Sequence, residues 1–286
     1  MAGLVYIRVN GIVLNIELQG RGEPAILIPD IGEDLTSWCQ QMRPFSGAHF
    51  TVALDNRGSG WSDSPDEEYT IEAMAQDVVC LMDALGVDTG HLVGVGLGGM
   101  VAQEIAARRP GRVTGLIMAS SGARPTAQQR EVYTKWVRAT LEGTDPAEIS
   151  RRMVPWLYSP SFLEDPGWRE HVIRTRARKA RWTSPQGISN QLRAMLDYDS
   201  RERLTGVRAP SLIIAGSDDR LCPPGEAAGE LGKLIHTART AQVEAGHLLN
   251  VEAFPEFNRL VLGFMAQTEG GETPPEVRTS PGPGCL

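Results

Sequence analysis

The chain reads as an α/β protein: a mostly parallel, doubly wound sheet with an inserted helical cap. Three observations predict it. Short continuous apolar runs recur along the chain, amphipathic helical patterns lie between them, and one stretch of about 80 residues breaks the alternation. Continuous runs suit strands buried on both faces, and strands alternating with helices imply right-handed crossovers around an open sheet.

The elements follow in order. Val5 to Val9 and Ile12 to Leu18 alternate like strands and meet at Asn10-Gly11, the strongest short-range hairpin signal. The continuous runs are Ala25 to Ile28, Thr51 to Leu54, His91 to Val95, Leu116 to Ala119 and Leu212 to Ala215. Met74, Val78, Leu81 and Leu85 make one apolar stripe on a helix that Gly86 closes. A second helix follows Gly98 and stops before Pro110. Pro255 opens a third, whose face is Phe257, Leu260, Val261 and Phe264. Residues 124–203, rich in Trp and Arg and broken by Pro155, Pro160, Pro166 and Pro185, form the expected cap. The core is then 1–123 with 204–267, and 268–286, rich in Pro, Gly, Glu and Thr, is expected to be a disordered tail.

Composition narrows the function classes. With 41% hydrophobic and 22% charged residues, the 286-residue chain is neither disordered overall nor fibrous. Its 35 acidic against 28 basic residues give a net charge of -7, which disfavours nucleic acid as a partner. No segment approaches the roughly 20 apolar residues of a membrane span. Met1 to Gln19 lack the layout of a signal peptide. A cytoplasmic protein is expected, off the membrane and binding a small molecule, with a homodimer left open. Cys39, Cys80, Cys222 and Cys285 are scattered, with no C-x-x-C pair, so no disulfide framework or zinc site is expected.

After the run His91 to Val95 the chain continues Gly94-Val95-Gly96-Leu97-Gly98-Gly99 into a helix. Here it resembles the α/β-hydrolase superfamily, whose nucleophile elbow reads G-x-S-x-G-G in the same strand-turn-helix setting. The resemblance spans roughly residues 1–267, and the enol-lactonase and methylesterase-like branches with a helical cap look closest. Asp55-Asn56-Arg57-Gly58-Ser59-Gly60 is similar to the family's D-x-R-G-x-G turn. Gly216-Ser217-Asp218-Asp219 resembles the loop of the triad acid, which falls on Asp219, and Gly246-His247 resembles the triad histidine. The resemblance also implies an oxyanion hole from the backbone N–H groups of Ile31 and Leu97.

Two departures matter. The nucleophile position is Gly96, which has no Oγ, so no acyl-enzyme can form there; losing the serine of such a triad costs about 10⁶ in rate. Glycine tolerates the strained elbow backbone well, which also suits an engineered knockout. The family's H-G-x-G loop reads Pro29-Asp30-Ile31-Gly32. A carboxylate at Asp30 either faces the pocket, where it would oppose an oxyanion, or bridges to Arg57 and points away.

A His-Asp pair remains. Asp219 would hold the His247 imidazole in one tautomer and raise its basicity, facing a cavity enlarged by the missing hydroxymethyl group. The candidate catalytic residues are therefore His247, Asp219 and Asp30. The pair could abstract a substrate proton, with the Ile31 and Leu97 N–H groups holding the enolate. It could activate a water in the vacated space, or the pocket could only bind a ligand. Ser120, Ser121 and Cys222 sit on no elbow and are poor substitute nucleophiles. On the cap, Trp136, Trp156, Tyr158 and Trp182 are pocket candidates that otherwise read as core, as does Phe162. Arg169, Arg174, Arg176, Arg178, Lys179 and Arg181 make either a solvated helix paired with acidic neighbours or a face for an anionic ligand. The expectation is a cofactor-free, non-hydrolytic enzyme of cyclase, isomerase or lyase type, acting on a small carbonyl or polyketide-like metabolite. The alternatives are a ligand-binding protein without turnover and a hydrolase using His-activated water.

Overall fold

The Asn10-Gly11 hairpin forms as the sequence predicts. In the computed structural model, which describes residues 3–180 and 183–270, both turn residues take positive φ, 47° and 81°, between β1 (Gly3–Val9) and β2 (Ile12–Gln19). The continuous apolar runs become β3 (Glu23–Ile28), β4 (His49–Leu54), β5 (Gly90–Val95), β6 (Val113–Ala119) and β7 (Ser211–Gly216). An eighth strand, β8 (Ala238–Val243), completes one sheet in the order β1-β2-β4-β3-β5-β6-β7-β8. β2 runs antiparallel to both β1 and β4, and the other pairings are parallel. β8 has no apolar run because it is an edge strand, buried only at Val243.

Helices cover the sheet: α1 (Cys39–Phe45), α2 (Ile71–Ala84) and α3 (Leu97–Arg108) precede β6. The stripe Met74, Val78 and Leu81 is buried, and Gly86 ends the α2 turn with φ 68°. Between β6 and β7 come α4 (Ala127–Leu141), α5 (Pro146–Leu157), α6 (Pro160–Leu163), α7 (Pro166–Lys179), α8 (Pro185–Leu196) and α9 (Arg201–Leu204). Pro160, Pro166 and Pro185 open helices at their first residue, where a missing N–H costs nothing. Pro155 instead lies inside α5. α10 (Ala227–Leu234), α11 (Leu249–Glu252) and α12 (Phe254–Thr268) follow. The expected tail lies outside the described residues from 271 onward, while Thr268 ends α12 and Glu269 caps it.

The core sits on both faces of the sheet. Ile26, Ile28, Leu92, Ile117 and Ile214 are fully buried, and each such side chain contributes about 1.5–3 kcal/mol. Among the described residues no helix is long and apolar enough to cross a membrane. The arrangement delivers the loops after β3, β5, β7 and β8 to the carboxyl end of the parallel strands, where open α/β sheets place their ligand crevice.

Candidate active site

The turn between β5 and α3 holds Gly96 at φ 53°, ψ -116°, a backbone region costly for any residue with a Cβ. Its N–H donates to the Ala119 carbonyl (3.0 Å), and the Ser121 hydroxyl donates to the Gly96 carbonyl (2.9 Å). Ser121 is thus a brace for the elbow. The strand-turn-helix form of a nucleophile elbow is complete without the nucleophile.

The space is not vacant. A Cβ built on Gly96 would lie 2.0 Å from Oδ1 of Asp30, well inside contact distance. Oδ1 accepts a hydrogen bond from the Leu97 N–H at 2.8 Å. Oδ2 stands 3.2 Å from His247 Nε2 and accepts from the Tyr133 hydroxyl at 3.3 Å. Tyr133 Oη is itself 3.2 Å from His247 Nε2. On the other side of the ring, Nδ1 lies 2.9 Å from Asp219 Oδ2, and Asp219 Oδ1 accepts from the N–H groups of Leu221 and Cys222 at 3.0 and 2.8 Å. Through its bond to the Leu97 N–H, the Asp30 carboxylate sits at the N-terminus of α3, where the helix dipole favours negative charge.

One imidazole between two carboxylates sets the electrostatics. Burial opposes the His247 cation, but the Asp219 carboxylate and the hydrogen bonds to Asp219 and Asp30 outweigh it and push its pKa up to about 10. Asp219 is held below the usual carboxylate range, because His247 overcomes the cost of burial. Burial, reinforced by the Asp30 charge, drives the Tyr133 phenol well above its ordinary value. At neutral pH these shifts favour a protonated His247 ring against the Asp219 carboxylate, with a neutral phenol beside it.

The structure thus brings together His247, Asp219, Asp30, Gly96 and Leu97, with Ile31 buried next to Asp30. Three sequence expectations change. Asp30 does not bridge to Arg57, whose guanidinium instead binds Asp77 at 2.6 and 2.7 Å and Glu67 at 2.7 Å. The cavity expected at Gly96 is filled by the Asp30 carboxylate, which leaves no vacated space for a water there. And the Leu97 N–H is already engaged by Asp30, so the oxyanion position is taken by this chain's own oxygen. His247, expected as the base, stands between Asp219 and Asp30.

Tyr133 escaped the sequence reading. It lies three residues before Trp136 on α4, hence on the same helix face, and the two rings meet edge-on with centroids 5.8 Å apart. Trp136 lines a cavity of about 250 Å³ and Tyr158 one of about 360 Å³. Trp156 instead lies under the Arg220 guanidinium, 5.0 Å from ring centre to Cζ. Trp182 and Arg181 lie outside the described residues. The basic helix α7 does pair with acidic neighbours: Arg176 binds Glu33, and Lys179 binds Glu33 at 3.4 Å and Asp34 at 3.1 Å. Burial disfavours the Asp34 carboxylate, yet Lys179 brings its pKa below the ordinary value. This buried cluster ties the inserted helices to the loop after β3 and stands between the two cavities, both of which it lines.

Asp55 shapes the same loop. It accepts from the N–H groups of Leu35 and Trp61 and from Asn15, and burial raises its pKa to about 6. Asp219, Cys222 and His247 have donor atoms within 4.8 Å of one another. They suit a metal poorly, since burial and then the Asp219 charge drive the Cys222 thiol well above its usual range. The same shift removes Cys222 as a nucleophile.

Fold and elbow together define the class. The chain belongs to the alpha/beta hydrolase fold family, whose pattern matches residues 24–254. It is 27% identical over 257 residues to 3-oxoadipate enol-lactonase 2 of Acinetobacter baylyi, covering 89% of this chain and 93% of that one. Among solved structures it is similar to an enol-lactonase from Burkholderia xenovorans LB400 (TM-score 0.84, 25% identity, 91% of this chain and 99% of that one). It is also similar to a hydrolase from Pseudomonas aeruginosa PA01 (TM-score 0.84, 28% identity, 92% and 98%).

Proposed function

We propose that this chain is a cofactor-independent enzyme of proton transfer, not an acyl-transferring hydrolase. The Asp30 carboxylate serves as the base, and His247 with Tyr133 as the paired acid. Its substrates are small carbonyl-containing, polyketide-like metabolites, and its reactions cyclisation, isomerisation or elimination. The observation that carries this reading is the Asp30 oxygen 2.0 Å from where a serine Cβ would stand, on the elbow N–H of Leu97.

The chemistry balances within the site. Asp30 Oδ2 takes a proton from the carbon next to the substrate carbonyl. The carboxyl group is then neutral, and the His247 imidazolium has lost one of its two anionic partners. Its Nε2–H and the Tyr133 O–H, which both faced Oδ2, can turn to the developing enolate oxygen. A cation freed as the enolate forms stabilises the transition state more than the ground state, which is what lowers a barrier. Return of the proton from Asp30 to another carbon completes an isomerisation, and expulsion of a β-substituent, which carries away the proton Asp30 took up, completes an elimination. Asp219 keeps the ring oriented throughout. Substrate has to reach a covered site, since Asp30, Tyr133 and His247 are all buried.

A second reading, ligand binding without turnover, is favoured by one observation: neither cavity beside the inserted helices is lined by Asp30 or His247. Solvent-deuterium exchange into a panel of aryl ketones and β-keto esters, followed by NMR, separates the two. Proton transfer predicts catalysed exchange that falls at least about 100-fold in Asp30→Asn and in His247→Ala. Compounds that bind but never exchange, or exchange indifferent to both substitutions, would leave the binding reading standing.

A further inference from the structure

A second histidine cluster lies at the amino ends of the strands, about a strand length (~20 Å) from the elbow. β3 runs between β4 and β5, with Glu23 opposite His49 and Ala25 opposite His91. Residues 23 and 25 share one face of β3, so both imidazoles project from the same side of the sheet. That side is covered by α12. A Cβ on Gly115 of β6 would stand 2.6 Å from His91 Nδ1 and 3.2 Å from the Phe264 ring, so the bare glycine opposite His91 makes room for the imidazole under the helix.

The two rings meet edge-on, centroids 6.0 Å apart, and both aim Nε2 at one atom. His49 Nε2 is 3.0 Å and His91 Nε2 2.8 Å from Oε1 of Glu269, the residue capping α12. The histidines are buried, while the Glu269 side chain is 31% exposed, so the cluster opens to solvent at the carboxylate. Among the described residues neither Nδ1 atom has a hydrogen-bond partner. The acceptor-only carboxylate places a proton on each Nε2, and an open Nδ1 lets that proton cross the ring, so that each Nε2 can present its lone pair to a cation. The other charged group facing the cluster is Glu23, whose carboxylate accepts from the Thr114 hydroxyl at 2.9 Å.

We propose that His49, His91 and Glu269 form a binding site for a borderline divalent cation, Zn²⁺ above all, with its remaining coordination completed by water. Two imidazoles and one carboxylate are a donor set that zinc, cobalt and nickel favour over magnesium or calcium. All three donor atoms lie within 4.8 Å of one another. Tetrahedral ligands at about 2.1 Å from an ion stand about 3.4 Å apart, so each Nε2···Oε1 pair has to part by only about half an ångström. The ion replaces the shared hydrogen bonds and pins the end of α12 to β4 and β5.

The test uses the full chain, stripped with chelator and titrated with Zn²⁺ and, for its spectrum, Co²⁺. One equivalent should bind at micromolar or tighter dissociation constant, with intense visible cobalt bands of a low-coordinate site. Saturating zinc should raise Tm by about 5 °C. Glu269→Gln, at a partly exposed side chain and safe for folding, should weaken binding at least about 10-fold, and His91→Gln at least about 100-fold. Asp219→Asn, at the other end of the sheet, should leave the affinity unchanged. Absence of stoichiometric binding would overturn the site, as would binding that survives Glu269→Gln and His91→Gln or is lost in Asp219→Asn.

Discussion

The two ends of the sheet solve opposite problems with the same residue types. At the carboxyl ends of the strands one histidine, His247, lies between two carboxylates. At the amino ends two histidines, His49 and His91, share one. The histidines of both clusters are buried, yet His247 and His91 shift in opposite directions. Burial disfavours every charge, and only the count of opposite charges in contact decides whether it is overcome. His247 has two such partners and is held as a cation with its pKa up at about 10. His91 has half of one and is pushed down. The first arrangement favours a protonated ring, and the second a neutral ring at His91.

The sharpest way to break the comparison is to undo the exchange of serine for carboxylate. Gly96→Ser alone places a side chain onto Asp30 and should give no hydrolysis of aryl esters. Pairing it with Asp30→Gly clears the overlap and frees the Leu97 N–H. A p-nitrophenyl ester assay should then show the double variant at least about 10³-fold above the single one. An active single variant would mean that Asp30 does not hold the nucleophile space.

Next comes charge removal. Asp30→Asn leaves a buried imidazolium with one partner, a loss of about 3 kcal/mol in chemical denaturation. The pH dependence follows from the direction of the shift. The His247 pKa is raised above its unfolded value of about 6.5. Its contribution is therefore complete below pH ~6.5 and is lost as pH rises towards 10. Urea melts should show stability falling across that window by roughly 3–5 kcal/mol, a slope that Asp30→Asn flattens. A smaller effect tests the ion cluster holding the inserted helices: Arg176→Met leaves Lys179 as the one cation on Glu33 among the described residues. It should cost about 1–3 kcal/mol and speed ligand entry in stopped-flow binding. Smallest of all, Glu269→Gln should change metal-free stability by less than about 1 kcal/mol.

Much of this was legible in the residues. The hairpin, five parallel strands and three core helices follow from apolar periodicity, because strands and helices buried on known faces leave that trace. β8 left none, since an exposed edge strand needs no apolar face. The loop positions of Asp219 and His247 came from motif resemblance. The direction of Asp30 did not, because a carboxylate at that position has two chemically reasonable partners and only the fold shows that Asp77 and Glu67 already occupy Arg57. Tyr133 was hidden among core-like aromatics on α4. The histidine cluster was hidden because His49, His91 and Glu269 lie far apart in the chain and meet only through strand register.

The central claim is that a carboxylate and an imidazolium stand where a serine and a neutral base would. NMR titration of the His247 ring, assigned through His247→Gln, tests it most directly. The account predicts a ring that stays protonated through pH 9 in the unmodified chain and titrates at lower pH in Asp30→Asn. A His247 that loses its proton near pH 6.5, with or without Asp30, would contradict it.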